Sequence, residues 1–480
     1  MAQYLSQPRI EGPIWLEPND ISFLQTRFEA LEKQISELPT RQKDAKLVEV
    51  ASLRNILSPI RRIPLEVLSD ILELSCIPKD GNFTAGHDII RYTSMLSRVC
   101  VAWRKAAHSN PRMWTKLCLS PYHWKVFLGE VIQIKEWLTR SRGLPLELHL
   151  ELFRGQKDEH RIHRTTQFLE CILDFRRQIR LIDVSGDPES FVSLLRLPRS
   201  SLPLLEKLFL SLDWSGDTPD LLELFPHGVE AFLGAPRLQH LRIVDPEVHS
   251  MLHGLVVPLE QLTSFEIELA WHEITFDLSV YQQALHQCKS LVSLKVELSD
   301  EVEFDANFSE INDLSRDVVG FQNRSAAALA SLTLTLHCCL GIDTDCITAS
   351  FLSILGAFAT VETLRIGQAW DFHSGMDDEL DPIYDVDALV KAMIYTKGHA
   401  ILLPKLTNFE LSVEDFPSKS TSVLSMIHSR WWTDKSELDF DNVAQLQKVK
   451  LRGPFSEVNI SKEDLDLPGL IVDFESVATY

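Results

Sequence analysis

The stretch LEKLFL, Leu205–Leu210, decides the fold. Leu208 and Leu210 alternate with Lys207 and Phe209, and a period of two belongs to a strand that buries one face. The same L-x-x-L-x-L string, with apolar substitutions, returns at Leu238, Leu241, Ile243; Leu262, Phe265, Ile267; and Leu291, Leu294, Val296. It continues at Leu329, Leu332, Leu334; Val361, Leu364, Ile366; Leu406, Phe409, Leu411; and Leu446, Val449, Leu451. Ile179, Ile182 and Val184 begin an earlier copy, and Leu146, Leu148 and Leu150 alternate in the same way. Ten copies exclude coincidence.

Between the copies, Trp124–Leu138, Phe168–Phe175 and Asp387–Ile394 carry helical spacing. Strand, crossover helix and parallel strand in repetition predict an α/β solenoid, a parallel sheet with outer helices rather than a closed barrel. Residues between the apolar positions then point away from the core: Phe209, Arg242, Glu266, Lys295, Thr333, Arg365, Glu410 and Lys450. A mixed-sign polar sheet of this kind serves protein recognition more often than small-molecule binding. The plainer account is that these residues solvate the sheet, and it must hold for most of them, because few interface positions carry energy.

Upstream, IPLEVLSDIL (63–72) is followed by MLSRVCVAWRKAAHSNPRMWTKL (95–117). Pro64 suits the first turn of a helix, where its missing N–H needs no partner, and Glu66 favours the positive end of the dipole. Leu65, Leu68, Ile71 and Leu72 form one apolar stripe on a helix too short to stand alone. Leu96, Val99, Cys100, Trp103 and Ala106 or Ala107 recur at helical spacing in the second segment, with Arg98, Arg104 and Lys105 off that face. Ser75–Ser94, with Pro78, Asp80, Gly81, Asn82 and Gly86, is expected to be a loop.

The pairing of P-L-E-x-L with V-C-x-x-W-R-x-x-A and a closing P-x-x-W resembles an F-box, and the downstream strings resemble leucine-rich repeats. The repeats depart from that family: successive copies lie 24 to 45 residues apart, and the usual Asn or Cys after the strand is missing. Taken whole, the chain is similar to fungal F-box-like proteins with irregular leucine-rich repeats. That resemblance implies an all-α F-box between an N-terminal helical hairpin and the solenoid, with segments 1–58, 59–120 and 121–480. It also implies a non-catalytic substrate adaptor of an SCF-type ubiquitin ligase. The F-box would bind a Skp-type acidic linker protein, and through it a cullin, by way of Pro64, Leu65, Glu66, Leu68, Ile71, Leu72, Val99, Cys100 and Trp103. Apolar insertion falls to the Leu and Ile residues, and Trp103 is expected to brace the helices from behind. The repeats would hold a protein substrate. The competing account keeps the fold without ubiquitin: a protein-interaction scaffold whose F-box-like unit caps the solenoid.

Before the F-box-like segment, Ile21, Leu24, Phe28, Leu31, Ile35 and Leu38 form a heptad stripe, and Leu47, Val50, Leu53 and Leu57 form a second. Two to three heptads are short for a free coiled coil, so a helical hairpin is expected, with self-association as the alternative.

At 480 residues and 45% hydrophobic, the chain can bury a large core in two or three units. Net charge is −21, which argues against a general nucleic-acid binder. Ile89–Arg142 carries 10 basic and 2 acidic residues, a local excess that suits an acidic partner or is neutralised by the acidic remainder of the chain. The longest uncharged run, Ser325–Ile342, alternates like a strand, so no membrane span is expected. MAQYLSQPRIEGP lacks a basic-then-apolar leader, which points to the cytoplasm or nucleus. Eight cysteines without a C-x-x-C pair are expected to be small buried hydrophobes in a reducing compartment.

Signs of chemistry are sparse. His272 and Glu273 begin an H-E-x-x-H pattern, but Phe276 stands at the second His. Asp158, Glu159, His160 and His163 lie in an Arg-rich stretch whose charge opposes a cation. Asp377, Asp378, Glu379, Asp381, Asp385 and Asp387 lack calcium-loop spacing and are expected on an exposed insertion. Trp431 and Trp432, beside the amphipathic Val423–His428, are expected in the core or a cap. No cofactor or metal is expected.

Overall fold

The computed structural model describes residues 14–37, 40–120, 131–152, 159–212, 221–245, 251–269, 278–298, 319, 328–337, 344–369, 385–396, 401–412, 421–431, 443–453 and 467–476. The chain divides into two compact units, Met1–Glu151 and Leu152–Tyr480.

The first unit opens with helices α1 (Pro18–Glu37) and α2 (Thr40–Leu57), which fold back on each other. Their seam buries Leu24, Leu31, Val50, Leu53 and Ile56 together with Ile14, while Phe28, Ile35 and Leu57 pack partly against it. The heptad positions of α1 therefore serve a hairpin within this chain. In α2 the face is rotated from the expected stripe, for Leu47 is exposed and Ile56 is buried. Arg27 Nε donates to Glu49 across the seam at 3.1 Å, and Arg54 lies 5.2 Å above the Phe28 ring. That hydrogen bond holds the Glu49 carboxyl below the usual carboxylate range.

After a 3-10 turn at Pro59–Arg62 come α3 (Leu65–Ser75), α4 (Ile89–Arg98), α5 (Val101–Ser109) and a second 3-10 turn at Pro111–Trp114. Strands β1 (Lys116–Leu119) and β2 (Leu146–Glu151) follow, parallel and in register at Leu117↔Leu148, with α6 (Val131–Arg140) between them in sequence. The copy at Leu146–Leu150 thus lies in the unit Met1–Glu151. Residues 124–130 of the expected helix lie outside the described residues.

Among the described residues, the second unit holds ten strands. They are β3 (Ile179–Gly186), β4 (Lys207–Leu212), β5 (His240–Asp245), β6 (Ser264–Leu269), β7 (Ser293–Leu298), β8 (Ser331–His337), β9 (Thr363–Ala369), β10 (Asn408–Ser412), β11 (Lys448–Gly453) and β12 (Ile471–Ser476). Each pairs in parallel with the next, so spatial order is chain order. The connections include α7 (Glu159–Leu173), α8 (Leu278–Gln287), α9 (Thr344–Ala357), α10 (Val386–Ala392) and α11 (Thr421–Ser429), and neighbouring helices α9, α10 and α11 touch in the same order.

The L-x-x-L-x-L string explains this register. Its middle apolar residues stack as Leu208↔Leu241↔Phe265↔Leu294↔Leu332↔Leu364↔Phe409↔Val449. Its first residues, from Leu205 to Leu446, are each no more than 1% exposed. The second position ties copies together through the backbone: Gln239 O accepts from both Thr263 N and Ser264 N, and Thr263 O from Val292 N and Ser293 N. A copy cannot bury its own ladder, so each buried Leu or Ile, worth roughly 1.5–3 kcal/mol, is stabilised only by stacking on the next copy.

Arg430, at the end of α11, is wholly buried. Its Nε donates to Met393 O at 2.8 Å and its Nη1 to Leu403 O at 2.9 Å, while its Nη2 donates to Leu402 O. It thereby fixes a loop in which Leu403 has a φ of 52°, a left-handed conformation costly for a branched residue.

Candidate functional site

Among the described residues, α3 and α4, with its capping Val99, together expose six large apolar side chains. Amphipathic helices bury their apolar side, yet α3 is apolar on two opposite sides and α4 is reversed. On α3, Leu68 (2% exposed), Leu72 and Cys76 face inward, and Ser69 Oγ donates to Ala106 O of α5 at 2.7 Å. The opposite side carries Val67, Ile71 and Leu74, spaced four and three apart, with Leu74 66% exposed. On α4 the buried positions are Ile89, Thr93 and Ser97. Tyr92, Met95 and Val99 (60% exposed), spaced three and four apart, face outward.

Local chemistry fixes these orientations. Thr93 Oγ1 meets Cys76 Sγ at 3.6 Å, and Ser97 Oγ donates to Thr93 O at 2.6 Å, so the inward hydroxyls of α4 are satisfied. Burial pushes the Cys76 thiol pKa up, only partly offset by the Thr93 contact. Cys100, in extended conformation, breaks the chain between α4 and α5, so the expected single helix through Val99, Cys100 and Trp103 is two. The loop is correspondingly shorter than expected, since Ile89–Ser94 already belongs to α4. It is also anchored: His87 Nε2 lies 2.9 Å from Cys76 O, and Lys116 Nζ sits 4.4 Å above the Phe83 ring.

The nine expected docking residues therefore separate. Pro64, Glu66, Ile71 and Val99 are exposed, whereas Leu65, Cys100 and Trp103 are half-buried. Leu68 and Leu72 are core residues and cannot insert into a partner, because their side of α3 is the one that packs on α5. Trp103 is half-buried and stands outside the fully buried face of its helix. The buried face of α5 is Ala102, Ala106 and Ala107, whose small side chains let the helices approach. Trp114 is the buried indole, and its Nε1 donates to Ala107 O at 2.9 Å.

Sequence reasoning missed Val67, Leu74, Tyr92 and Met95, although α3 carries more apolar residues than one stripe can use. It also missed Asn110. The Asn110 side chain donates to Glu73 Oε2 at 2.9 Å and accepts from Arg112 N at 3.0 Å, joining α3 to the Pro111 turn. An Asn immediately before Pro is the signal of such a cap.

In the second unit the eight expected open-face residues form one continuous row, Phe209↔Arg242↔Glu266↔Lys295↔Thr333↔Arg365↔Glu410↔Lys450. All are half-buried except Arg365, which is exposed. Much of the row's charge is paired internally: Arg365 Nε lies 3.0 Å from Glu410 Oε2, Arg242 Nη2 2.5 Å from Glu268, and Lys295 pairs with Glu297. Burial pulls the Arg242 guanidinium down, but its bond to Glu268 and the charges of Glu268, Glu266 and Glu297 outweigh burial and raise its pKa. The face is a chain of salt bridges, not a single-sign field.

Other expected positions have structural roles. Asp385, which is exposed, caps α10 by accepting from Ala388 N at 2.9 Å, and Asp387, half-buried, pairs with Lys391 one turn on, so both belong to a helix in the connection between β9 and β10. Asp377, Asp378, Glu379, Asp381, Asp158, His272, Glu273, Phe276 and Trp432 lie outside the described residues, as do the side chains of Glu159, His160 and His163. No helix among the described residues is long and apolar enough to cross a membrane. No protein-family model matches the chain, and no curated protein matches it either.

Proposed function

We propose that the chain is a non-catalytic adaptor that holds a protein substrate for an SCF-type ubiquitin ligase. In this reading the α3–α5 unit is F-box-like and docks a Skp-type acidic linker protein, which connects to a cullin. The strands of the second unit are irregular leucine-rich repeats that hold the substrate. The observation that carries the proposal is the reversed helix α4, with hydroxyls inward and Tyr92, Met95 and Val99 in solvent. Leaving three large apolar side chains about half exposed forgoes roughly half of the ~1.5–3 kcal/mol that full burial of each would contribute, a cost that binding would recover.

Charge supports an acidic partner. Arg91 and Arg98 lie on α4 and Arg104 and Lys105 on α5, all exposed, within a segment of 10 basic and 2 acidic residues in a chain of net charge −21. Such complementarity speeds encounter and fixes orientation. Activity would then consist of raising the local concentration of substrate lysines near a ubiquitin-charged enzyme.

Affinity purification of the full chain from cells tests the assignment. A Skp-type linker and a cullin in the eluate support it; an eluate with neither removes the ligase reading and leaves a protein-interaction scaffold.

A further inference from the structure

A cleft of about 480 Å³ lies within the first unit, walled by α4, α5, the Pro111–Trp114 turn and α6. Two buried indoles lie beneath it. The Trp114 and Trp137 rings meet edge to face at 4.6 Å, and each indole N–H is committed, Trp114 to Ala107 O and Trp137 Nε1 to Lys116 O at 3.2 Å. Its rim is cationic: Arg98 from α4, Arg104 from α5 and Arg140 from α6 line it, with His108 of α5 beside them. Glu136 is the one carboxylate among the lining residues, 3.4 Å from Arg140 Nη2. Arg104 spends only its Nε, on Ser97 O at 3.2 Å, and Arg140 stacks 4.6 Å above Trp114.

Three guanidinium groups against one carboxylate leave an excess of two positive charges. A phosphate monoester carries ≈ −1.5 to −2 at neutral pH, and its oxygens match the fork of an arginine. We propose that this cleft binds a phosphate monoester, with the phosphate held by Arg98, Arg104 and Arg140 and the organic body against Ile90 and Ile132. The cleft is on a different side of α4 from the Tyr92–Met95–Val99 stripe, lined instead by Ile90, Ser94, Ser97 and Arg98, and although it shares Arg98 and Arg104 with the basic face assigned to the acidic partner, phosphate binding is read without that partner.

His108 provides an internal reporter. Burial lowers its pKa, and the charges of Arg140 and then Arg104 lower it further, with Glu136 opposing. A bound dianion would reverse the arginine contribution, so the His108 titration midpoint should rise.

The full chain, labelled in its histidines and with the His108 signal assigned through His108→Gln, is titrated with inorganic phosphate, glycerol phosphate and a phosphoserine peptide. The proposal expects each probe to raise the His108 midpoint. Tighter binding of glycerol phosphate assigns a small organic phosphate as ligand, and tighter binding of the peptide assigns a phosphorylated side chain. Arg104→Gln and Arg140→Gln should each weaken binding roughly tenfold to a hundredfold. Arg98→Gln, at an exposed position, gives the same test where the other two fail to fold. No movement of His108 with any probe, or undiminished binding in the arginine variants, overturns the site.

Discussion

Arg430 is a buried cation with three backbone carbonyls as its partners. Arg430→Met would strand those carbonyls and release the strained loop at Leu403, and the expected loss is about 3 kcal/mol or more by denaturant unfolding. Nothing in the sequence singles it out, because a buried arginine bound to carbonyls from distant loops leaves no local pattern. His108 sets a pH dependence. Its folded pKa lies below the ordinary 6.5, so the unfolded chain takes up the proton first as pH falls. The contribution of His108 is therefore complete above pH 6.5 and is lost as pH falls from there through the lower folded value. His108→Gln should flatten that part of a plot of unfolding midpoint against pH; an unchanged slope would assign the acid sensitivity to other groups.

At the scale of elements, α3 makes a sharp distinction between neighbouring apolar positions. Leu68→Asp buries a carboxylate against α5 and should unfold the α3–α5 unit, whereas Leu74→Asp, in solvent, should leave the unfolding midpoint unchanged within a degree or so. Circular dichroism on the two variants checks this. The existence of α3, its Pro64 start and the Pro111 turn were all legible, because capping chemistry and apolar spacing are local. Which side of α3 faces out was not legible, since Leu68 and Ile71 are equally apolar and only the packing of Ser69 on Ala106 chooses between them. The break at Cys100 was hidden for a similar reason: Leu96, Val99 and Trp103 keep helical spacing across it. Gly186, at the end of β3, has a φ of 126°, and a Cβ there would collide with the carbonyl of Leu152. Gly186→Ala should therefore lower the stability of the second unit by about 1–3 kcal/mol, seen as an earlier unfolding transition.

For the whole molecule, the parallel sheet with its helices was the most legible feature, because a period-two string returning along the chain favours parallel stacking wherever the spacing allows a crossover. The strands β1 and β12 were not legible, since neither carries the full L-x-x-L-x-L string. The chain thus combines an N-terminal unit with apolar residues left in solvent and a second unit whose open face is laced with ion pairs. Docking of an acidic partner on the α3 and α4 stripes, as proposed, is decided by measuring binding of a purified Skp-type linker protein to the full chain and to an Ile71→Asp, Met95→Asp double variant, with thermal unfolding of both recorded. The account predicts binding by the natural chain and a loss of roughly a hundredfold or more in the variant, with the unfolding midpoint preserved. Equal binding by the two proteins, or none by either, would contradict it.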